Sequence, residues 1–281
     1  LDVPTEIKTP GFWEEFRERT RAIKPDLYIV GEIWHAAQQW LRGNRFDATM
    51  NYLFTSAILA FAGGNRVSEK LVENRSYTPY PGIDAGQFDE QVHSILNLYD
   101  QETNQVQLNL LGSHDTPRLR TLCGGDLDAV RLATLIQMTL PGAPSIYYGD
   151  EIGMSGSLDP MCRGSFPDDP GQWEQGPYEW MADLAALRHS SPAFRDAELR
   201  VLGTQGPAIA YLRRKGDDAF VVVANAGDQP LAWGVELPDG LDDAEIVPLR
   251  GATAGERSAA VEDGLLQLLV PAREGLVIRL G

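Results

Sequence analysis

Along the first two thirds of the chain the spacing of apolar positions keeps switching between helical and strand periods. Residues 11–23 put Phe12, Phe16, Thr20 and Ile23 on one side of a 3.6-residue wheel, which predicts an amphipathic helix. Pro25 and Asp26 stop it. The run Leu27-Tyr28-Ile29-Val30-Gly31 predicts a short strand that closes on Glu32. The alternation then recurs: further strands are predicted over 45–50, 106–112 and 145–148, and helices over 52–61, 87–99, 127–140 and 178–189. Between them, 63–86 is rich in Gly, Pro and Asn and predicts an irregular excursion with a short helix, and 149–176 a long polar loop. Strands alternating with helices in this way predict parallel βα units, an α/β architecture.

After Pro192 the period shortens to two. Strands are predicted over 198–202, 208–213, 219–225, 231–236, 245–249, 265–270 and 275–280, with turns such as Lys215-Gly216-Asp217 and Pro238-Asp239-Gly240 between them. This predicts a small antiparallel β-sandwich and a division of the chain into 1–190 and 191–281.

Composition narrows the function classes. A hydrophobic content of 43% with 23% charged residues is that of a soluble globular enzyme and excludes a disordered or fibrous role. The net charge of −16 repels polyanions, so nucleic acid is not an expected partner. The longest apolar run, 219–226, is strand-length, far short of the ~20 residues that span a bilayer, so no membrane partner is expected. Cys123 and Cys162 are too few for a disulfide framework or a zinc site and are read as reduced thiols of a cytoplasmic protein. The sequence opens on Leu1-Asp2-Val3, with neither Met nor a signal peptide.

Parallel barrels carry their chemistry at the C-terminal ends of strands. Three carboxylates stand there: Asp2 before Pro4, Glu32 after 27–31, and Asp115 after Leu110-Leu111-Gly112-Ser113-His114. Cleavage of a sugar acetal needs two carboxyl groups, one to protonate the departing oxygen and one to attack or to direct water. Spacing alone leaves open that each merely caps a following helix.

The words around these carboxylates are more specific. Leu1-Asp2-Val3-Pro4-Thr5-Glu6, Gly31-Glu32-Ile33-Trp34-His35 and Ser113-His114-Asp115-Thr116-Pro117-Arg118 occur in order. Between and after them come Phe46-Asp47-Ala48-Thr49-Met50-Asn51-Tyr52 and Tyr147-Tyr148-Gly149-Asp150-Glu151-Ile152-Gly153-Met154. This set resembles the α-amylase family of glycoside hydrolases, in the form found in its neopullulanase, cyclomaltodextrinase and maltogenic amylase group. The resemblance implies the second half of a (β/α)8 TIM barrel followed by a C-terminal β-sandwich. It implies retaining hydrolysis of α-1,4 or α-1,6 glucosidic bonds in cyclodextrins, maltooligosaccharides, pullulan or starch.

By the same resemblance Asp2 is the nucleophile, Glu32 the general acid and base, and Asp115 the carboxylate that holds sugar hydroxyls, with His114 beside it. Trp34 offers a sugar-stacking face, and Glu6 stands where many other amylases carry His. His35 is either a subsite or a supporting residue, and Arg118 either touches the substrate or pairs with a neighbouring carboxylate. The group's usual acidic residue after the motif histidine is Ala36 here, and a common tryptophan position holds Asp168; both bear on specificity. The family's arginine two positions before the nucleophile and an upstream histidine fall before Leu1, so the chain alone is not expected to be active. No cofactor is required for the chemistry; structural calcium and homodimerisation of the intact parent stay open. Transglycosylation, α-glucosidase action or disaccharide isomerisation are alternatives on the same scaffold. A carboxylate-depleted binding homologue is disfavoured because all three carboxylates persist. His93, His189, Trp13, Trp40 and Trp180 read as packing or surface residues, and Trp173 as a residue of the cleft rim.

Overall fold

The computed structural model describes residues 1–73 and 77–281, so positions 74–76 of the predicted irregular stretch lie outside the described residues. Four short parallel strands form an arc in chain order: β1 (Val30–Gly31), β2 (Ala48–Thr49), β3 (Leu108–Leu110) and β4 (Ala143–Ser145). Val30 pairs with Ala48 and Leu108 with Ala143, and a bridge from Met50 to Leu108 joins the two halves. Leu1 extends the arc beyond β1: its amino group donates to Val30 O (2.9 Å), and its carbonyl accepts from Glu32 N (2.9 Å).

Helices α1 (Phe12–Ile23), α2 (Tyr52–Ile58), α3 (Glu69–Val72), α4 (Ala85–Leu96), α5 (Gln101–Val106), α6 (Leu119–Leu122), α7 (Leu127–Thr139), α8 (Gln175–Ser190) and α9 (Pro192–Asp196) connect or follow these strands. The chain predicts the longer ones closely. It hides α5, α6 and α9, which are too short for a period to emerge. The strand expected at 145–148 pairs two residues earlier, because Ala143 N donates to Gln107 O (2.8 Å) and sets the register. Ile146 and Tyr148 mimic a buried strand by hydropathy alone, yet each is about two-fifths exposed.

Local chemistry fixes the helix ends. Asp84 accepts from Gln87 N (2.8 Å) while the Gln87 side chain accepts from Asp84 N (3.1 Å), a reciprocal cap on α4. Asp84→Ala is expected to cost about 1 kcal/mol, read as a lower denaturant midpoint at unchanged slope. At the C-terminal end of α7 two arginines take the free carbonyls. Arg188 donates to Met138 O (2.8 Å) and Leu140 O (3.3 Å), and Arg213 to Thr139 O. Their positive charge also suits the negative end of the helix. Burial, reinforced by Arg188, pushes the Arg213 guanidinium down to about 9.

The inside of the arc is polar where the strand reading expects apolar residues. Thr49 N and Oγ1 donate to Gln107 Oε1 (3.1 and 3.0 Å), and Asn51 Nδ2 to Asn109 Oδ1 (2.9 Å). Asn109 Nδ2 reaches Pro141 O (2.7 Å), while Gln137 Nε2 bridges Asn109 O and Ser145 O (2.9 Å each). These bonds pair most of the buried amide groups away from water and so tie adjacent strands in one register, with Gln107 Nε2 left without a partner among the described residues.

Two antiparallel sheets follow. One runs β5-β6-β7-β12-β9 (Leu199–Gln205, Ala208–Lys215, Asp218–Asn225, Glu274–Leu280, Ala244–Ile246), the other β10-β11-β8 (Ser258–Glu262, Leu265–Val270, Leu231–Glu236). β10 escapes the sequence reading because Ser, Ala and Glu on a half-buried outer strand carry little strand signal. Alternation along β6 and β7 sends residues both ways. Ala210, Leu212, Val221 and Val223 meet Val235, Leu266 and Leu268 of the three-stranded sheet. Ile209, Tyr211, Phe220, Val222 and Ala224 join the core of α7 and α8. The middle of the five-stranded sheet, at β6 and β7, is therefore buried on both faces, which explains the unbroken apolar run in β7.

Candidate active site

The C-terminal ends of the arc bring the sequence-nominated carboxylates onto one side of the fold. Asp2 is exposed, and the residues on either side of it are both bonded to Glu32: Leu1 O accepts from Glu32 N, and Val3 N donates to Glu32 Oε2 (3.3 Å). Val3 adopts φ 38°, a left-handed conformation unusual for a β-branched residue. Pro4 then opens a single helical turn, Pro4–Glu6, whose Pro4 O accepts from the buried Trp13 indole (3.0 Å). The position of Asp2 is thus set by the β1 ladder on one side and by α1 on the other.

Glu32 is only 7% exposed, and both its oxygens are engaged, since Oε1 accepts from Trp34 Nε1 (3.2 Å). Trp34 lies flat on Tyr52, with ring centroids 3.6 Å apart and an interplanar angle of 4°. One face of Trp34 is therefore occupied by protein, which leaves only the opposite face or an edge for a sugar. Tyr52 links the two halves of the site. Its hydroxyl lies 3.0 Å from Ser113 Oγ, which accepts in turn from Asp115 N (3.2 Å). Burial raises the Tyr52 phenol far above its ordinary range, and the charges of Glu32 and Asp115 add to that rise. Tyr52 occurs in a motif word, but its bridging place was not readable from spacing.

Asp115 sits in a tight turn in which Ser113 N donates to Thr116 Oγ1 (2.8 Å). Its carboxylate lies 3.3 Å from His114 Nε2 and 3.0 Å from Arg163 Nη2. Arg163, from the long polar loop, was not among the nominated residues; a single arginine in a polar loop leaves no periodic or motif signal. The same loop places Cys162 Sγ 3.2 Å from His114 O. Cys123 and Cys162 are free thiols, and burial pushes Cys123 up to about 12.

Three nominated residues stand elsewhere. Arg118 is wholly buried, 3.5 Å from Asp150, with its guanidinium 4.5 Å from the Tyr147 ring centroid and 4.6 Å from that of Tyr148. Its side chain stands beside a carboxylate, and no part of it reaches the surface. Burial pushes the Asp150 carboxyl up to about 7, against the opposing pull of Arg118. Glu6 is exposed and lies 3.8 Å from Lys8, and His35 is exposed next to Trp34. Among the described residues no group of three or more His, Cys, Asp or Glu side chains is placed to hold a metal ion, and no helix is long and apolar enough to cross a membrane.

Comparison with known proteins agrees with this geometry. Residues 2–195 match the family model of the alpha amylase catalytic domain. The chain is 38% identical over 273 residues to a cyclomaltodextrinase of Geobacillus thermopakistaniensis, covering 96% of this chain and 43% of that protein. It is 38% identical over 241 residues to neopullulanase 2 of Thermoactinomyces vulgaris, covering 85% of this chain and 38% of that protein. The native debranching enzyme of Nostoc punctiforme superposes with a TM-score of 0.92 at 42% identity, over 99% of this chain and 57% of that one. The chain thus spans roughly half the length or less of these relatives. Matching over most of its length and sharing their fold, it belongs to the α-amylase family and carries part of that family's (β/α)8 barrel followed by a β-sheet domain.

Proposed function

We propose that this chain supplies the acid/base and nucleophile side of a retaining glycoside hydrolase acting on α-1,4 or α-1,6 glucosidic bonds of cyclodextrins, maltooligosaccharides, pullulan or starch. In this reading residues 1–190 are the second half of the barrel, and the two sheets of 191–281 are a sandwich packed against it. The observation that carries the proposal is the backbone clamp by which Leu1 and Val3, flanking Asp2, both bond Glu32. It sets two carboxyl-bearing residues on neighbouring strand ends, the arrangement that double displacement requires.

Asp2, exposed at the rim, attacks the anomeric carbon as Glu32 passes its proton to the departing oxygen. Glu32, then ionised, takes a proton from water that attacks the glycosyl–Asp2 ester, and the configuration is retained. Asp115 holds ring hydroxyls near the positive charge that builds at the anomeric carbon, and the free face or edge of Trp34 meets the leaving-group sugar. None of these steps calls on a cofactor.

The name of the cyclomaltodextrinase relative supports a preference for cyclic glucans. In the complete enzyme, kcat/KM on β-cyclodextrin is expected to exceed that on soluble starch by about tenfold or more, which corresponds to ~1.4 kcal/mol. Comparing β-cyclodextrin, pullulan and soluble starch checks this. Preference for starch, sucrose or trehalose would place the protein in another branch of the family.

A further inference from the structure

We propose that the buried Arg118–Asp150 pair is a positioning device that keeps Asp115 in place by closing the loops after β3 and β4 into one circuit. The proposal rests on the reading of Asp115 as a substrate-binding carboxylate.

The circuit can be followed atom by atom. From Asp115 the backbone runs three residues, through Pro117, to Arg118. Arg118 Nη1 donates to Tyr148 O, and the Tyr148 hydroxyl donates to Gly164 O (2.8 Å). Adjacent to Gly164, Arg163 returns to the start: its Nη2 bonds Asp115 (3.0 Å) and its Nε donates to His114 O (3.0 Å). The Arg163–Asp115 contact is well exposed, with side chains 45% and 35% accessible, so alone it restrains little. Arg118 is itself wholly buried and its bond to Tyr148 O is part-buried, so the circuit is held more firmly at this end.

Both loops make room for this pair. A Cβ on Gly112 would fall 2.8 Å from Asp150 Oδ2, and one on Gly149, at φ +87°, 3.0 Å from Arg118 Nη1. Asp150 also accepts from the Leu119 backbone, and Arg118 N donates to Gly156 O (3.0 Å), so the pair grips main chain on both loops. It is also costly to bury. Among the described residues Arg118 Nε, Arg118 Nη2 and Asp150 Oδ1 have no hydrogen-bond partner. A well-packed apolar pair generally stabilises a site of this kind at least as well as ions. Fixed geometry, rather than stability, is what the charges contribute here.

The test uses Arg118→Lys, Arg118→Met and Asp150→Asn in the complete enzyme. A catalytic group displaced by about 1 Å loses on the order of 10²-fold in rate. For Arg118→Lys, kcat is expected to fall about 10- to 100-fold on both maltooligosaccharides and α-glucosyl fluoride, with KM within about threefold of wild type. Arg118→Met should lose more than Arg118→Lys. Amide hydrogen exchange over 113–118 should quicken about tenfold or more while α7 stays protected. Asp150→Asn keeps the acceptor for Leu119 and tests the charge separately. A folded variant with wild-type exchange over 113–118 overturns the proposal. So does a raised KM at unchanged kcat, which would make Arg118 a binding residue. If the wild type cleaves no α-glucan, the functional reading fails, and the exchange measurement still decides the positioning claim.

Discussion

Replacing Glu32 by Gln in the complete enzyme is expected to slow cleavage of maltooligosaccharides by three to five powers of ten, about 4–7 kcal/mol in the barrier. A sugar leaving group departs poorly without a proton, and glutamine has none to give. Fluoride needs little such help, so α-glucosyl fluoride should still form the covalent intermediate on Asp2, and its hydrolysis should stall for want of a base. Azide requires no general base. It should restore turnover and give a glucosyl azide of retained α configuration. Asp2→Asn should form no glycosyl-enzyme whatever the leaving group, so azide should give no product of retained configuration. The geometry adds a structural side effect. Both Glu32 oxygens accept from N–H donors, Val3 N and Trp34 Nε1, so in Glu32→Gln one of these donors will face the NH2 of the new side-chain amide. Melting curves of the variant therefore accompany the kinetics, so that activity is counted per folded molecule. Near-normal cleavage by Glu32→Gln, or azide rescue of Asp2→Asn with retained α configuration, would reverse the assignment.

Gly142→Ala is expected to destabilise the protein by about 2–4 kcal/mol, the sum of backbone strain and a broken buried polar network. Gly142 sits at φ +116°, and a Cβ there would lie 2.2 Å from Asn109 Nδ2 and 3.0 Å from Gln107 O. Asn109 is 1% exposed and is the hub between Asn51 and Pro141, so it can neither yield nor find water. Gly216→Ala is the control: its φ is +63°, and nothing lies within 4 Å of the added Cβ. That change should cost only about 1 kcal/mol, the strain alone. Equilibrium unfolding of the two variants measures the difference. Equal losses would show that the Asn109 network does not hold the strands together.

Much of the architecture follows from local pattern. The 3.6-residue spacing of α1 and the period-two runs after Pro192 are each determined by neighbours a few residues away, which is why they are legible in the chain. The motif words likewise nominated Asp2, Glu32 and Asp115 and the family without coordinates. What the chain could not determine depends on partners distant in sequence. Leu27–Gly31 looks like a five-residue strand, yet only Val30 and Gly31 pair, because strand length is a property of the neighbour as much as of the run itself. The apolar run of β7 reads as a strand, but that α7 and α8 cover its second face shows only in the fold. Trp34 looks free to stack on a sugar until Tyr52 takes one side, and the sequence leaves Arg118 between a substrate contact and a carboxylate partner, whereas the fold sets it beside Asp150, Tyr147 and Tyr148. Local propensity fixes which residues can turn inward, whereas burial, electrostatic pairing and register exist only once remote segments meet, so the tertiary structure alone decided them.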